Sequence, residues 1–116
     1  MADRIAVLGT GKMGEALLSG MLRAGRLPAD LLFTVRGPER AALLRERYGV
    51  EAVSNAEAAK SADTLLLTVK PQDMGVLLEE LAPHVPQDRL VVSVAAGKTT
   101  AFIERRLTDG TPVVRV

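Results

Sequence analysis

The chain has 116 residues, enough for one ordinary domain and too few for two. Apolar residues make up 47% of it and aromatic residues only 3%, so its core must be built from aliphatic side chains. Fifteen Lys and Arg against fourteen Asp and Glu give a net charge of +1, which excludes the basic surface of a general nucleic-acid or membrane-surface binder. The absence of cysteine excludes thiolate chemistry, and a single histidine excludes a multi-histidine metal site.

The amino-terminal residues show neither the basic flank nor the long apolar stretch of a signal peptide. Apolar runs elsewhere stay well short of the ~20 residues that a membrane span requires. We therefore expect a cytoplasmic protein with no membrane or nucleic-acid partner.

Apolar runs alternate with helical patterns along the chain, which is typical of parallel strands joined by crossover helices. In the first half we predict strands at 5–8, 31–35 and 50–53, and helices that end at Gly25, at Gly49 and near residue 60. The last of these helices runs from about Asn55 to Lys60, with Asn55 or Ser54 as its cap.

In the second half we predict strands at 64–69, 90–94 and 113–116. We also predict a helix that carries Met74, Leu77, Leu78 and Leu81 on one face, and a helix over 99–107. These elements predict a Rossmann-type, doubly wound α/β fold with a mainly parallel sheet and helices on both faces. Because the sequence stops within a strand, we expect residues 1–116 to be one domain of a longer protein.

A glycine-rich loop follows the first strand and opens the first helix. Gly9, Gly11 and Gly14 match the pattern G-x-G-x-x-G, which is weak alone but specific between a buried strand and an amphipathic helix. The first glycine permits a tight turn, the second lets a phosphate approach the backbone, and the third allows the helix to pack closely on the strand. The helix amino terminus then presents free N–H groups to the anion. We expect the pyrophosphate of a dinucleotide to bind here.

The end of the second strand indicates which dinucleotide is preferred. An acid at this place binds the ribose hydroxyls of NAD, whereas this sequence has Val35, Arg36 and Gly37. The planar, permanently charged guanidinium of Arg36 suits a 2′-phosphate, so we predict NADP, with NAD possible. Arg40 either reaches the same phosphate or lies on a solvated helix face. The remaining contacts are expected where the strands at 64–69 and 90–94 end, with Lys70 either near the ligand or solvated.

Several segments in order along the chain resemble pyrroline-5-carboxylate reductases. They are the glycine loop, Arg36-x-x-Glu39-Arg40, Asn55, Val69-Lys70-Pro71-Gln72, Val94-Ala95-Ala96-Gly97 and Pro112-Val113-Val114-Arg115. The resemblance implies a reductase that transfers hydride from NAD(P)H to the imine of 1-pyrroline-5-carboxylate and forms L-proline. It departs from the family at Lys12, where Asn is usual, and at Gly14, where Ala is frequent.

The resemblance also implies the site. The cofactor-binding residues it predicts are Leu8, Gly9, Thr10, Gly11, Lys12 and Met13 around the pyrophosphate, Arg36 and Asn55 on the adenosine side, and Thr68, Val69, Lys70, Pro71, Ala95, Ala96 and Gly97 on the nicotinamide side. No catalytic or metal-ligating residue is predicted. The family continues into a helical domain that forms a homo-oligomer and contacts the substrate, so we expect this chain to be inactive alone.

Two alternatives stay open. One is a related NADP-dependent imine reductase or F420 reductase, against which the Val-Lys-Pro-Gln segment argues. The other is a stand-alone module that binds NADP and acts as a sensor or scaffold.

Overall fold

Six strands in the part of the chain that the structure describes form one entirely parallel sheet in the order β3-β2-β1-β4-β5-β6. The structure is a computed structural model that describes residues 4–85, 89–93 and 113–115. The strands are β1 (Ile5–Leu8), β2 (Leu31–Phe33), β3 (Glu51–Ala52), β4 (Thr64–Leu67), β5 (Leu90–Ser93) and β6 (Val113–Arg115). The helices are α1 (Lys12–Arg23), α2 (Pro38–Tyr48), α3 (Asn55–Ser61) and α4 (Met74–Leu81), with 3-10 turns at Pro28–Asp30 and Pro71–Asp73.

Helices cover both faces of the sheet, because alternate residues of the central strands point to opposite sides. Ala6 and Leu8 of β1 belong to a core with α3 and α4, whereas Val7 belongs to a second core with α1 and α2. All three side chains are fully buried. The predicted doubly wound α/β fold is confirmed.

The order of the strands places one crossover point at the centre of the sheet. The chain leaves β1 towards β2 and β3 on one side, and later returns to β4, β5 and β6 on the other. Ile5 is in register with both Leu31 and Thr64, so the carboxyl ends of β1, β2 and β4 lie side by side. In open parallel sheets, ligands bind at this crevice.

Three strands are shorter than predicted. The second ends at Phe33 rather than 35 and the third covers only Glu51–Ala52, although Val50 is fully buried beside it. The fourth ends at Leu67 rather than 69. The backbone N–H and the hydroxyl of Thr68 both donate to the Leu8 carbonyl, at 3.0 and 2.8 Å. These bonds join the end of β4 to the end of β1, next to the glycine loop.

The helix boundaries agree closely with the sequence. Gly49 ends α2 in the left-handed conformation (φ +70°) and donates its N–H to the Arg45 carbonyl at 2.8 Å. Ser54 caps α3 by accepting from the Glu57 N–H at 3.1 Å, which decides between the two predicted caps. The predicted helix at 99–107 lies outside the described residues. No helix among the described ranges is long and apolar enough to cross a membrane.

Candidate cofactor site

A cleft of about 360 Å³ opens at the carboxyl ends of β1, β2 and β4. Its lining residues come from the glycine loop, the ends of β2, β3 and β4, and one side of α4 with the turn before it. They are Gly9, Thr34, Val35, Arg36, Val53, Ser54, Asn55, Val69, Asp73, Val76, Leu77 and Glu80. The cleft therefore coincides with the crevice at which the strand order reverses.

Gly9 is the tight point of the glycine loop. Its φ is +74°, and a Cβ atom built there would overlap Cγ1 of Val69 and lie 3.2 Å from the Val69 Cβ. The Gly9 N–H donates to the Thr34 hydroxyl at 3.0 Å, and its carbonyl accepts from the Thr68 hydroxyl at 3.1 Å. Only glycine fits here, as predicted for the first position of the motif.

Thr10 supports the loop from inside. Thr10 is buried, with 1% of its surface exposed. Its hydroxyl donates to the Val7 carbonyl at 3.2 Å, and its N–H donates to the Thr34 carbonyl at 2.8 Å. Leu8 is fully buried, and its carbonyl holds Thr68. These two predicted site residues therefore support the loop from the core side.

The start of α1 is open to solvent. A Cβ atom on Gly11 would meet no atom within 4 Å, and Lys12 and Met13 are exposed. The first N–H groups of a helix lack partners within it, and Gly11 has no side chain with which to cap them. This amino terminus can hold an anion, so the residues present fit a dinucleotide pyrophosphate.

Gly14 packs the start of α1 against the sheet. A Cβ atom there would lie 2.9 Å from the Thr68 Oγ1, 3.0 Å from the Thr10 Cγ2 and 3.1 Å from the Val7 Cγ1. The helix could not approach β1 and β4 so closely with a larger residue. This confirms the packing role predicted for the third glycine.

Arg36 lies at the rim of the cleft with 84% of its side chain exposed. Its Nη2 is 3.6 Å from Oδ1 of Asp73, which follows β4. The side chains before it, Thr34 and Val35, carry no charge, so β2 ends without the acid that would repel a 2′-phosphate. A guanidinium at this rim can bind that phosphate.

The sequence left open whether Arg40 reaches the cofactor phosphate or lies on a solvated helix face, and in the structure it is instead bonded within the protein. Its Nε donates to the Thr10 carbonyl at 3.1 Å, and its Nη2 bonds to Glu15 of α1 at 3.2 Å. Glu15 also accepts from the Tyr48 hydroxyl at 2.6 Å and from Arg47 at 2.7 Å. Arg40 thus ties α2 to α1 and to the glycine loop.

This cluster shifts the titration of its members. Hydrogen bonds from Tyr48 and then from Arg47 lower the pKa of Glu15 below its ordinary value. The same bond to the Glu15 carboxylate raises the pKa of Tyr48. Glu15 therefore stays ionised at neutral pH and holds both helices beside the glycine loop.

Asn55, which the resemblance predicts to contact the adenosine half of the cofactor, lines the cleft. Its Nδ2 donates to Oε2 of Glu80 at 2.6 Å. Its Oδ1 is buried and has no hydrogen-bond partner among the described residues. Because Ser54 caps α3, the Asn55 side chain is not used for capping.

The residues after β4 divide between the cleft and the surface. Val69 lines the cleft and packs against the core, while Lys70 is exposed. Pro71 begins the 3-10 turn that leads to α4. The other predicted strand exit, Ala95, Ala96 and Gly97, lies outside the described residues.

Two acidic cleft residues were not predicted. They are Asp73, which precedes α4, and Glu80 in its last turn. Together with Val76 and Leu77 they recur at helical spacing, which places all four on one side of α4. That helical spacing was present in the sequence. The side of α4 that faces the crevice depends, however, on how the helix packs on the sheet.

Comparison with known proteins agrees with this geometry. Residues 4–97 match the family model described as NADP oxidoreductase coenzyme F420-dependent. The chain is 42% identical to a pyrroline-5-carboxylate reductase of Mycobacterium tuberculosis and 44% identical to that of Mycobacterium leprae, over 97% of this chain and 40% of each relative. A solved pyrroline-5-carboxylate reductase from Coxiella burnetii superposes with a TM-score of 0.90 at 30% identity, over 99% of this chain and 43% of that one.

These matches confirm the resemblance inferred from the sequence, and the chain spans about 40% of the length of the curated relatives it matches. The glycine loop, β2 and β4 all lie within the residues that the family model covers. The chain therefore belongs to the family of coenzyme F420-dependent NADP oxidoreductases.

Proposed function

We propose that this chain binds NADP(H) in the cleft between β1, β2 and β4. The observation that carries the proposal is the open amino terminus of α1 at Gly11, next to a cleft whose rim carries Arg36 and no acid at the end of β2. In this arrangement the pyrophosphate lies against Gly9, Gly11, Lys12 and Met13.

The similarity to pyrroline-5-carboxylate reductases supports the other contacts. Arg36 binds the 2′-phosphate, and Asn55 contacts the adenosine half. The nicotinamide half lies against Thr68, Val69, Lys70 and Pro71. When bound, the cofactor supplies a hydride, and the residues of this chain hold it in place.

We further propose that the reaction served is the reduction of 1-pyrroline-5-carboxylate to L-proline, in which a hydride and a proton add across the imine. The support is the similarity over 97% of the chain to relatives named for that reaction. Because this chain corresponds to 40% of their length, we assign it the cofactor and assign imine binding and homo-oligomer formation to the additional residues of the relatives.

Calorimetric titration of the 116-residue chain with NADPH and NADH tests the cofactor. We expect tighter binding of NADPH, and we expect Arg36→Ser to remove most of that preference. Arg23→Ser is the matched control, since it removes the same charge at the end of α1, away from the cleft. Equal affinities for the two cofactors, or an Arg36→Ser variant that keeps the preference, would refute the assignment.

The reaction is tested by following NADPH oxidation with 1-pyrroline-5-carboxylate. We expect this chain alone to bind NADPH without turnover, and we expect turnover when it is joined to the remaining residues of a pyrroline-5-carboxylate reductase. Failure of that chimera, with NADPH binding intact, would contradict the proposed substrate.

The family description supports one other candidate, hydride exchange between NADP and coenzyme F420. Offering coenzyme F420 to the same chimera separates the two. Reduction of F420 by NADPH without consumption of the imine would favour this second function.

A further inference from the structure

Asn55 and Glu80 meet across the wall of the cleft. Asn55 is the first residue of α3, and Glu80 lies in the last turn of α4. Both residues line the cleft, and a hydrogen bond of 2.6 Å joins their side chains. An ionised carboxylate only accepts hydrogen bonds, so the Asn55 amide must turn its NH₂ group towards Glu80. The amide oxygen is thereby directed away from Glu80.

That oxygen lacks a partner within the described ranges, although it is buried. An unsatisfied buried acceptor costs free energy, and native proteins keep few of them without a reason. The fold does not use this one, because Ser54 already caps α3. A bound molecule with an O–H or N–H group would satisfy it.

We propose that Glu80 is a positioning residue that fixes the Asn55 amide so that its oxygen accepts a hydrogen bond from the adenosine half of the cofactor. The donor is a ribose hydroxyl or the adenine amino group. This inference rests on the proposed binding of NADP(H) in the cleft. Glu80 itself need not touch the cofactor.

Glu80→Gln gives a test with a definite sign. A purely electrostatic role predicts tighter binding, since the variant removes a negative charge beside an anionic cofactor. The positioning role predicts weaker binding. A glutamine at position 80 can donate to the Asn55 oxygen as well as accept from the Asn55 NH₂ group, so the Asn55 amide is no longer held in one orientation. Losing one oriented hydrogen bond is expected to raise the Kd for NADPH by about 3- to 10-fold.

Two further variants complete the test. Glu79→Gln removes the same charge from an exposed neighbour on α4 that does not line the cleft, and we expect it to leave the Kd unchanged. In an Asn55→Ala background, Glu80→Gln is expected to add no further weakening. Thermal melting of each variant shows whether it is folded.

The two possible donors are separated with the hypoxanthine analogue of NADPH, which lacks the adenine amino group. An effect of Glu80→Gln that persists with the analogue assigns the donor to ribose, and one that disappears assigns it to adenine. Binding of NADPH by Glu80→Gln that equals or exceeds that of the wild type would overturn the inference. The inference would also be overturned if Glu80→Gln weakened NADPH binding as much in the Asn55→Ala background as in the wild type. Absence of NADPH binding by the wild type would instead refute the proposed function itself.

Discussion

Replacing Gly9 with alanine tests how tightly the glycine loop is built. Two features of the structure oppose a side chain at this position. The backbone is left-handed, with φ at +74°, and the new Cβ atom would overlap Cγ1 of Val69. Val69 cannot simply move aside, because it packs against the core below the cleft. We therefore expect Gly9→Ala to destabilise the fold strongly.

The magnitude follows from these two terms. A left-handed conformation costs a non-glycine residue ~1–2 kcal/mol. Forcing an extra carbon into a packed site adds ~1–3 kcal/mol. The sum, ~2–5 kcal/mol, is a large share of the ~5–15 kcal/mol that stabilises a typical domain. At ~4 °C per kcal/mol for a chain of this size, the Tm is expected to fall by ~8–20 °C.

Urea unfolding followed by circular dichroism measures the loss of stability. Gly11→Ala is the matched control, since its Cβ atom meets nothing within 4 Å. It replaces glycine by alanine at the N-cap of α1 and should cost no more than ~1 kcal/mol. It should nevertheless raise the Kd for NADPH about tenfold, or ~1.4 kcal/mol, by occupying the space next to the pyrophosphate.

A double variant separates the two terms for Gly9. Val69→Ala removes the overlapping Cγ1 atom but leaves a Cβ atom 3.2 Å from the new side chain. Gly9→Ala should therefore cost at least ~1 kcal/mol less in the Val69→Ala background, with the backbone term remaining. A Gly9→Ala variant as stable as the wild type, or one with the same cost in both backgrounds, would show that the reasoning from the overlap is wrong.

Three other predictions concern the surroundings of the cleft. Gly20→Ala, in the interior of α1 with open space around the new methyl group, should raise the free energy of unfolding by ~0.5–1 kcal/mol in the same urea assay; a loss would contradict the space seen there. The folded pKa of Glu15 lies below its ordinary value of 4.5. Its contribution to the free energy of unfolding is therefore fully present above pH 4.5 and is lost as the pH falls through the lower folded pKa. Glu15→Gln should therefore flatten the acid limb of the stability curve, and an unchanged limb would refute the role of this cluster. Asp73→Asn should release Arg36 and lower the Kd for NADPH by about 2- to 5-fold. Asp30→Asn is its control and should not change the Kd, because Asp30 directly precedes β2, at the amino-terminal end of the strands and away from the cleft. Weaker binding by Asp73→Asn would contradict this.

The sequence alone determined the features that depend on neighbouring residues. The alternation of apolar runs and helical patterns was sufficient for the doubly wound fold. The spacing of Gly9, Gly11 and Gly14 was sufficient for the turn and for the close packing of α1, because a turn and the helix that follows it are specified locally. Gly49 ended α2 for the same reason.

Only the tertiary structure decided which side chains meet across the cleft. The bond between Arg40 and the Thr10 carbonyl joins residues 30 positions apart, and the bond between Asn55 and Glu80 joins residues 25 positions apart. Periodicity in the sequence places Glu80 on one side of a helix, but the packing of that helix on the sheet decides what this side faces. The bond from the Thr68 hydroxyl to the Leu8 carbonyl likewise joins residues 60 positions apart. The sequence thus specified the loop that we propose binds the cofactor, and the packing of α2, α3 and α4 specified the polar groups around it.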